Sequence, residues 1–251
     1  MPRIVFLGTA NAVSYPDHEN SHLVFEGQEE TILVDCVGNP LNRLRKAGID
    51  IHQITSVVIT HFHPDHVSGL PLLLMNMWLL GREKQLDLYG LNHSLDRVKK
   101  MMELFDWSSW GGMYPMAFHP LPAEEITLVM DNTDFRVHSS PVDHLVPTIG
   151  LRVEFRQEDF QVAYSSDTGP CPEMIKLSEG VDVLIHEAGG DYRGHTTAAQ
   201  AGEIAQQAGV NLLYLIHYSL HEKTAAEHLA EAKKTFAGRV TMAEDFLTIE
   251  I

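Results

Sequence analysis

Cysteine and long apolar stretches are both scarce in this sequence. Only Cys36 and Cys171 occur in 251 residues. They imply no disulfide framework, and their spacing fits no zinc-binding pattern. The longest apolar stretch, residues 70–80, is interrupted by Pro71 and Asn76 and is too short to span a membrane. The apolar run at the N-terminus is too short for a signal peptide. We therefore expect a soluble, cytoplasmic protein with no membrane partner.

Positive charge is also scarce. The chain has 18 Lys and Arg against 34 Asp and Glu, which gives a formal net charge of −16. Binding of long nucleic acids through their phosphates requires a basic surface, so this balance disfavours it without excluding a local basic patch. Histidine, by contrast, occurs 15 times. This abundance is the first indication of metal chemistry.

Short β-branched runs alternate with helix-like stretches along the whole chain. No linker or low-complexity segment interrupts them, and the length suits one domain. We therefore expect an α/β fold, residues 1–251 forming a single domain with a sheet core and helices outside. For the helix at 94–104 we expect Ser94 as N-cap. Strands are expected at 4–7, 22–26, 31–35, 56–60, 86–89, 135–138, 149–153, 161–164, 181–185 and 212–216, and the other helices at 40–47, 70–80, 196–208 and 224–236.

Residues 106–120 differ from the rest, because they are aromatic, methionine-rich and broken by glycine. Two interpretations are open. The segment is either a loop packed on the core or at a dimer contact, or an apolar wall or lid over a substrate pocket, since pockets are mostly apolar and aromatic.

The strongest local signal is a cluster of four ligand-type side chains, His61, His63, Asp65 and His66, directly after a predicted buried strand. Imidazole and carboxylate groups are ligands of borderline-soft divalent ions. His61 and His63 are two positions apart, so their side chains point the same way in an extended segment. Four such residues cannot all meet one tetrahedral ion without crowding, so two ions sharing the segment are the more natural solution.

Two ions need further ligands from elsewhere in the chain. His144, Asp167 and His217 each follow a predicted strand, as the first cluster does. A lone His or Asp at a strand end is more often structural than a ligand. The repeated placement at strand ends is what makes these three candidate metal ligands.

These motifs resemble the metallo-β-lactamase fold, and most closely its ribonuclease Z-like branch. The most specific matches are 184–188, 194–198 and 215–219, and the resemblance covers nearly the whole chain. It implies an αββα sandwich of two mixed β-sheets flanked by helices. It also implies one ion on His61, His63 and His144, a second on Asp65, His66 and His217, and Asp167 bridging the two.

Three further roles concern catalysis. Asp65 is expected to orient or deprotonate the nucleophile as well as to bind metal. The resemblance implies a role for His195 on the leaving group; the alternative is a helix-capping surface histidine. Glu187 lies near His195 in sequence and could orient it, or could be a surface or salt-bridged residue.

One departure from the branch concerns its substrate. Ribonuclease Z carries a long tRNA-gripping arm between the positions of His144 and Asp167, whereas here residues 145–166 leave no room for it. We therefore expect a dinuclear zinc hydrolase, with Mn²⁺ as an alternative metal, that attacks a small phosphodiester through a metal-bridging hydroxide. The resemblance also implies a homodimer.

Other functions remain open on the same residues. Carboxylic esters, lactones, thioesters and aryl sulfates all suit a metal-activated water, and tRNA 3′-end cleavage is a further alternative. A di-iron redox protein would characteristically carry Glu in place of His63. A metal-binding regulatory protein is the non-enzyme alternative, and the complete set of ligand-type residues argues against it.

Overall fold

The computed structural model describes residues 1–251 and contains fourteen strands in two seven-stranded sheets. In chain order the strands are β1 (Arg3–Gly8), β2 (His22–Glu26), β3 (Thr31–Val34), β4 (Ser56–Ile59), β5 (Leu86–Leu91), β6 (Met116–Leu121), β7 (Thr127–Asp131), β8 (Phe135–Val142), β9 (Thr148–Phe155), β10 (Phe160–Tyr164), β11 (Val183–Glu187), β12 (Leu212–Ile216), β13 (Arg239–Met242) and β14 (Thr248–Glu250). The helices are α1 (Pro40–Lys46), α2 (Pro64–Val67), α3 (Leu70–Leu79), α4 (Asn92–Leu104), α5 (Pro172–Ser178), α6 (Ala198–Ala208) and α7 (Ala225–Ala232), with short 3₁₀ helices at Ile51–Gln53 and Trp107–Ser109.

Both sheets are mixed. The first has the order β14-β1-β2-β3-β4-β5-β6 and the second β13-β12-β11-β10-β9-β8-β7. In the first, β1 to β3 pair antiparallel and β3 to β6 pair parallel. The second repeats this change, antiparallel from β7 to β10 and parallel from β10 to β13.

The central strands are apolar on both faces because both faces are covered. In β1, Ile4 and Phe6 pack between the two sheets, whereas Val5 and Leu7 pack under the outer helices. This alternation follows from the two-residue period of a strand, and a strand buried on both faces has a continuous apolar sequence. The second sheet is covered on its outer face by α5, α6 and α7. The four layers form the αββα sandwich, so the expected fold is confirmed.

Two local expectations were wrong. Ser94 is not the N-cap of α4, because β5 runs straight into the helix and the N-cap is Leu91. Residues 106–120 are not all loop, since Met116 begins β6, which pairs with β5. No helix of the structure has the length and apolar character needed to cross a membrane.

The strands bring the candidate residues to one edge of the sandwich. β10, β11 and β12 run parallel, and β8 runs antiparallel to β9, which is itself antiparallel to β10. The ends of β8, β10, β11 and β12 therefore lie at the same edge of the second sheet. The loop after β4 meets this edge from the first sheet, where the Ile149 N–H donates to the Thr60 carbonyl at 3.2 Å.

Candidate metal centre

Three imidazoles converge at the edge of the sandwich. His63 Nδ1 lies 3.1 Å from His61 Nε2 and 3.1 Å from His144 Nε2. Zinc–nitrogen bonds of 2.0–2.1 Å in a tetrahedral site place two ligand nitrogens about 3.3 Å apart, so the three nitrogens fit around one cation. His63 and His144 are 81 positions apart in the sequence, and the fold brings them together.

A second group of side chains surrounds the Asp167 carboxylate. Asp167 Oδ1 lies 3.3 Å from His66 Nε2, and Asp167 Oδ2 lies 3.3 Å from His217 Nε2. Asp65 Oδ2 approaches the same two histidine nitrogens at 3.7 and 3.6 Å. His66 Nε2, His217 Nε2 and Asp167 Oδ1 are buried without a hydrogen-bond partner. Buried polar atoms are rarely left unpaired, and here a cation would satisfy all three.

Asp167 faces both groups. Its Oδ2 atom lies 3.9 Å from His61 Nε2 and 3.9 Å from His144 Nε2, in addition to its approach to His217. The residue is buried and lies three residues beyond the end of β10. The structure thus brings together all seven side chains for which the sequence predicts metal binding, with Asp167 between the two groups.

Burial keeps the first group neutral. Desolvation is the main cause that lowers the pKa of His61, His63 and His144, and for His61 the value falls well below 6.5. A neutral imidazole has a free lone pair, which is the form that binds metal. The three imidazoles of this group can therefore bind a metal ion without first losing a proton.

The second group has the opposite balance. Burial alone would raise the pKa of Asp167, but the charges of His217 and His66 outweigh it and hold that pKa well below its usual range. Burial would lower the pKa of His66, yet Asp167 and Asp35 together raise it well above 6.5. Asp167 is thus an anion, and the proton on His66 balances its charge. A metal ion can replace that proton.

A buried carboxylate that sequence reasoning missed holds His66 in place. Asp35 Oδ2 lies 2.7 Å from His66 Nδ1 and also accepts from the Thr60 hydroxyl at 2.7 Å, while Oδ1 accepts from the Thr60 N–H at 2.9 Å. Asp35 is completely buried at the end of β3, with a positive φ of 59°. Such a carboxylate fixes the imidazole so that Nε2 points at the metal side. The available signal was an acidic residue that ends a continuous apolar run.

The first group is held by neutral partners. His144 Nδ1 donates to the Gly194 carbonyl at 2.7 Å, which leaves its Nε2 lone pair free. The Thr60 hydroxyl donates its one proton to Asp35, so it accepts from His61 Nδ1 at 3.1 Å. Both imidazoles are therefore fixed in the tautomer that presents Nε2 to the centre.

His195 and Glu187 form a pair beside the centre. His195 Nδ1 donates to Glu187 Oε1 at 2.9 Å, and the fully buried Glu187 also accepts from the N–H groups of Thr168 and Gly189. Burial lowers the pKa of His195, but the Glu187 hydrogen bond and charge outweigh it and raise that pKa. The His195 ring lies parallel to that of His217, with centroids 5.5 Å apart. The free Nε2 of His195 is thus available for proton transfer near the centre.

A cavity of about 310 Å³ opens beside these residues. Its lining combines Asp65, Asp167 and His195 with Tyr192 and Arg193 from the loop after β11. None of residues 106–120 lines it. Trp107, Trp110, Met113 and Phe118 pack against the core under the first sheet's helices, as the core-packing interpretation of that segment expects.

The fold and this cluster of histidines and aspartates define a metal-dependent hydrolase. A family model described as "Beta-lactamase superfamily domain" matches residues 30–218, and the chain therefore belongs to that superfamily. Ribonuclease Z of Methanothermobacter thermautotrophicus is 30% identical, with 100% of this chain and 97% of that protein covered. The expected resemblance to the ribonuclease Z-like branch is thus confirmed. The expected class of enzyme, a metal-dependent phosphodiesterase, is confirmed with it.

Solved structures support the same fold. Human tRNase Z, short form, superposes with a TM-score of 0.82 at 26% identity and covers 99% of both chains. The metallo-β-lactamase fold protein YhfI from Bacillus subtilis also gives a TM-score of 0.82, at 21% identity, over 99% of this chain and 98% of its own. The donor set of the centre suits divalent metal ions in each group.

Proposed function

We propose that the chain, acting as one domain, is a dinuclear zinc-dependent phosphodiesterase whose substrate is a small phosphodiester. The observation that carries the proposal is the position of Asp167, whose Oδ2 atom lies 3.3 Å from His217 Nε2 and 3.9 Å from His61 Nε2. One carboxylate between two sets of ligand atoms is the arrangement that a pair of cations requires.

Two metal positions follow from the two groups. We call the first the histidine position, and its ligands are His61, His63 and His144. We call the second the carboxylate position, and its ligands are Asp65, His66 and His217. Asp167 serves both. Nitrogen-rich donor sets favour zinc, and the oxygen ligands of the carboxylate position leave Mn²⁺ as an alternative there.

Hydrolysis needs a nucleophile and a proton for the leaving oxygen. When bound, the two ions lower the pKa of water and offset charge on the phosphoryl group. Asp65 lines the cavity and orients the attacking water. As the phosphorus–oxygen bond breaks, His195 gives its Nε2 proton to the leaving oxygen, and Glu187 holds the ring at Nδ1 throughout.

The size of the site favours a small substrate. A cavity of about 310 Å³ is at the lower end of the range for small-molecule pockets. Residues 145–166 consist mainly of β9 and β10, which pair directly and leave no projecting arm. The alignment with the Methanothermobacter ribonuclease Z runs over 308 positions, and since this chain has 251 residues, at least 57 of those positions lack a counterpart here.

A substrate panel tests the proposal. Zinc-loaded protein is assayed with bis(p-nitrophenyl) phosphate, p-nitrophenyl sulfate and p-nitrophenyl acetate, beside the Asp167→Ala variant as a blank. We expect turnover of the phosphodiester that depends on Asp167. Hydrolysis of the sulfate or acetate in preference to the phosphodiester would contradict the proposal and favour the ester or sulfate alternatives.

A second candidate is tRNA 3′-end cleavage, which the names of the relatives favour. A precursor tRNA with a 3′ trailer tests it directly: site-specific cleavage at rates above that of the small diester would replace the first proposal. A homodimer stays a prediction from the resemblance, which the molar mass in solution decides.

A further inference from the structure

The loop that carries His195 also presents an unpaired cation to the catalytic cavity. Arg193 is the only Lys or Arg that lines this cavity, and its side chain forms no ion pair or hydrogen bond with the protein. Of the other arginines, Arg136 and Arg156 pair with Asp131, whereas the exposed Arg45 and Arg239 are unpaired but do not line the cavity. In a chain of net charge −16, a free guanidinium beside the site stands out.

The backbone around Arg193 is fixed although its side chain is free. The His195 N–H donates to the Tyr192 carbonyl at 3.0 Å, and Gly194 has a φ of 77°, as the third position of a type II turn requires. Arg193 is the second residue of this turn; it is exposed and lines the cavity. The turn places Arg193 two residues before the proton donor.

Three contacts hold the turn against the rest of the site. The Tyr192 hydroxyl donates to Glu222 Oε1 at 2.7 Å, the Gly194 carbonyl accepts from His144 Nδ1 at 2.7 Å, and His195 donates to Glu187 at 2.9 Å. The backbone that carries Arg193 is preorganised, so only the side chain itself has to be ordered when it binds a ligand.

The placement identifies which part of a substrate Arg193 meets. His195 protonates the leaving oxygen in the proposed function, and Arg193 lines the same cavity from the same turn. The guanidinium fork matches phosphate and carboxylate oxygens in a bidentate geometry. We propose that Arg193 binds an anionic group on the leaving alcohol, so that the preferred substrates are phosphodiesters whose leaving group carries a second anion. This inference rests on the proposed phosphodiesterase function.

A matched pair of chromogenic esters tests it. Methyl 4-nitrophenyl phosphate has a neutral leaving group, and methyl 3-carboxy-4-nitrophenyl phosphate adds one carboxylate to it. A third ester carries phosphate in place of the carboxylate and tells the two anions apart. The wild-type protein is compared with Arg193→Ala, Arg193→Lys and Arg45→Ala. Arg45 is exposed on α1, so its variant makes the same change in charge away from the cavity.

We expect Arg193→Ala to lower kcat/KM by about 10- to 100-fold for the anionic leaving groups, since hydrogen bonds to charged groups contribute at this level. The neutral ester should change less than about two-fold. Arg193→Lys should restore part of the loss, and Arg45→Ala should match the wild type. Equal losses on all esters, or no loss on any, would overturn the inference.

A binding measurement separates this inference from the proposed function. The product 5-hydroxy-2-nitrobenzoate is titrated calorimetrically into wild-type and Arg193→Ala protein. We expect weaker binding to the variant. If wild-type protein hydrolyses no phosphodiester, the proposed function fails; if it hydrolyses both esters but product binding does not depend on Arg193, only the inference fails.

Discussion

The histidine position and the carboxylate position differ in what stands behind their ligands. Behind the histidine position lie neutral groups, the Thr60 hydroxyl and the Gly194 carbonyl. Behind the carboxylate position lies the completely buried Asp35 carboxylate, 2.7 Å from His66 Nδ1. The same edge of the fold thus supports His61 and His144 with dipoles and His66 with a full charge.

This difference predicts that the two proposed metal positions bind their ions with unequal affinity. A carboxylate behind a ligating histidine raises the basicity of that ligand, whereas a carbonyl mainly orients it. The carboxylate position also includes Asp65 among its proposed ligands, so its donor set is more anionic. We expect it to bind its ion more tightly and to accept harder ions such as Mn²⁺, while the histidine position selects zinc.

The largest effect is expected for Asp167→Ala, which removes the group that the two positions share. Both ions should be lost, and turnover should fall by more than about 10³-fold, beyond the cost of one preorganised electrostatic group. Metal content by mass spectrometry and phosphodiester turnover measure this, with exposed Asp96→Ala as the control. Retention of both ions would show that the two positions are independent.

His195→Ala should separate catalysis from metal binding. The ring lies against His144 and His217 and its Nδ1 donates to Glu187, and the proposed function assigns its Nε2 to the leaving oxygen and not to either metal position. We expect turnover to fall about 10²- to 10⁴-fold, the usual contribution of a general acid, with metal content unchanged. The control is His221→Ala, an exposed histidine. Loss of an ion in His195→Ala would contradict the assignment.

Asp35→Asn tests the inequality of the two positions directly. The amide keeps the volume of the side chain but cannot place a full charge behind His66. Affinity at the carboxylate position should weaken about 10- to 100-fold, as for other outer carboxylates, while the histidine position keeps its affinity. Competition titration with a chromogenic chelator resolves the two binding steps. An equal loss of affinity at both positions would show that Asp35 does not make the two metal positions different.

The smallest effect is expected for Thr60→Val, because the backbone N–H of residue 60 still holds Asp35. The lost hydroxyl bridges Asp35 and His61, at 2.7 and 3.1 Å. One neutral hydrogen bond contributes about 1 kcal/mol, so each affinity should change less than about 10-fold. The same titration measures it, and a larger loss at the histidine position would make Thr60 a stronger support than its geometry indicates.

Sequence reasoning identified the candidate ligands because each of them lies just past a predicted strand. The cluster at 61–66 is continuous, and His144, Asp167 and His217 share its context at strand ends. Asp35 has a similar context, but a single Asp after a strand is common and its contact to His66 depends on folding. The position of the turn at 192–195 could not be predicted either, because it depends on contacts to Glu222 and His144 in the folded chain.

The four strands absent from the sequence prediction are β6, β7, β13 and β14, and these are the four edge strands of the two sheets. An edge strand pairs on one side only and remains partly exposed, so its apolar pattern is weak. β6 even contains Pro120, which is tolerated at an edge. Most central strands were found because burial on both faces gives them continuous apolar runs, whereas in β8 the signal was an alternation of apolar and polar residues.

Anomalous diffraction from crystals of the zinc-loaded protein, recorded at the zinc absorption edge, tests the central claim most directly. The account predicts two peaks per chain, one beside His61, His63 and His144 and one beside Asp65, His66 and His217, with Asp167 between them. A single peak, or peaks away from Asp167, would contradict it.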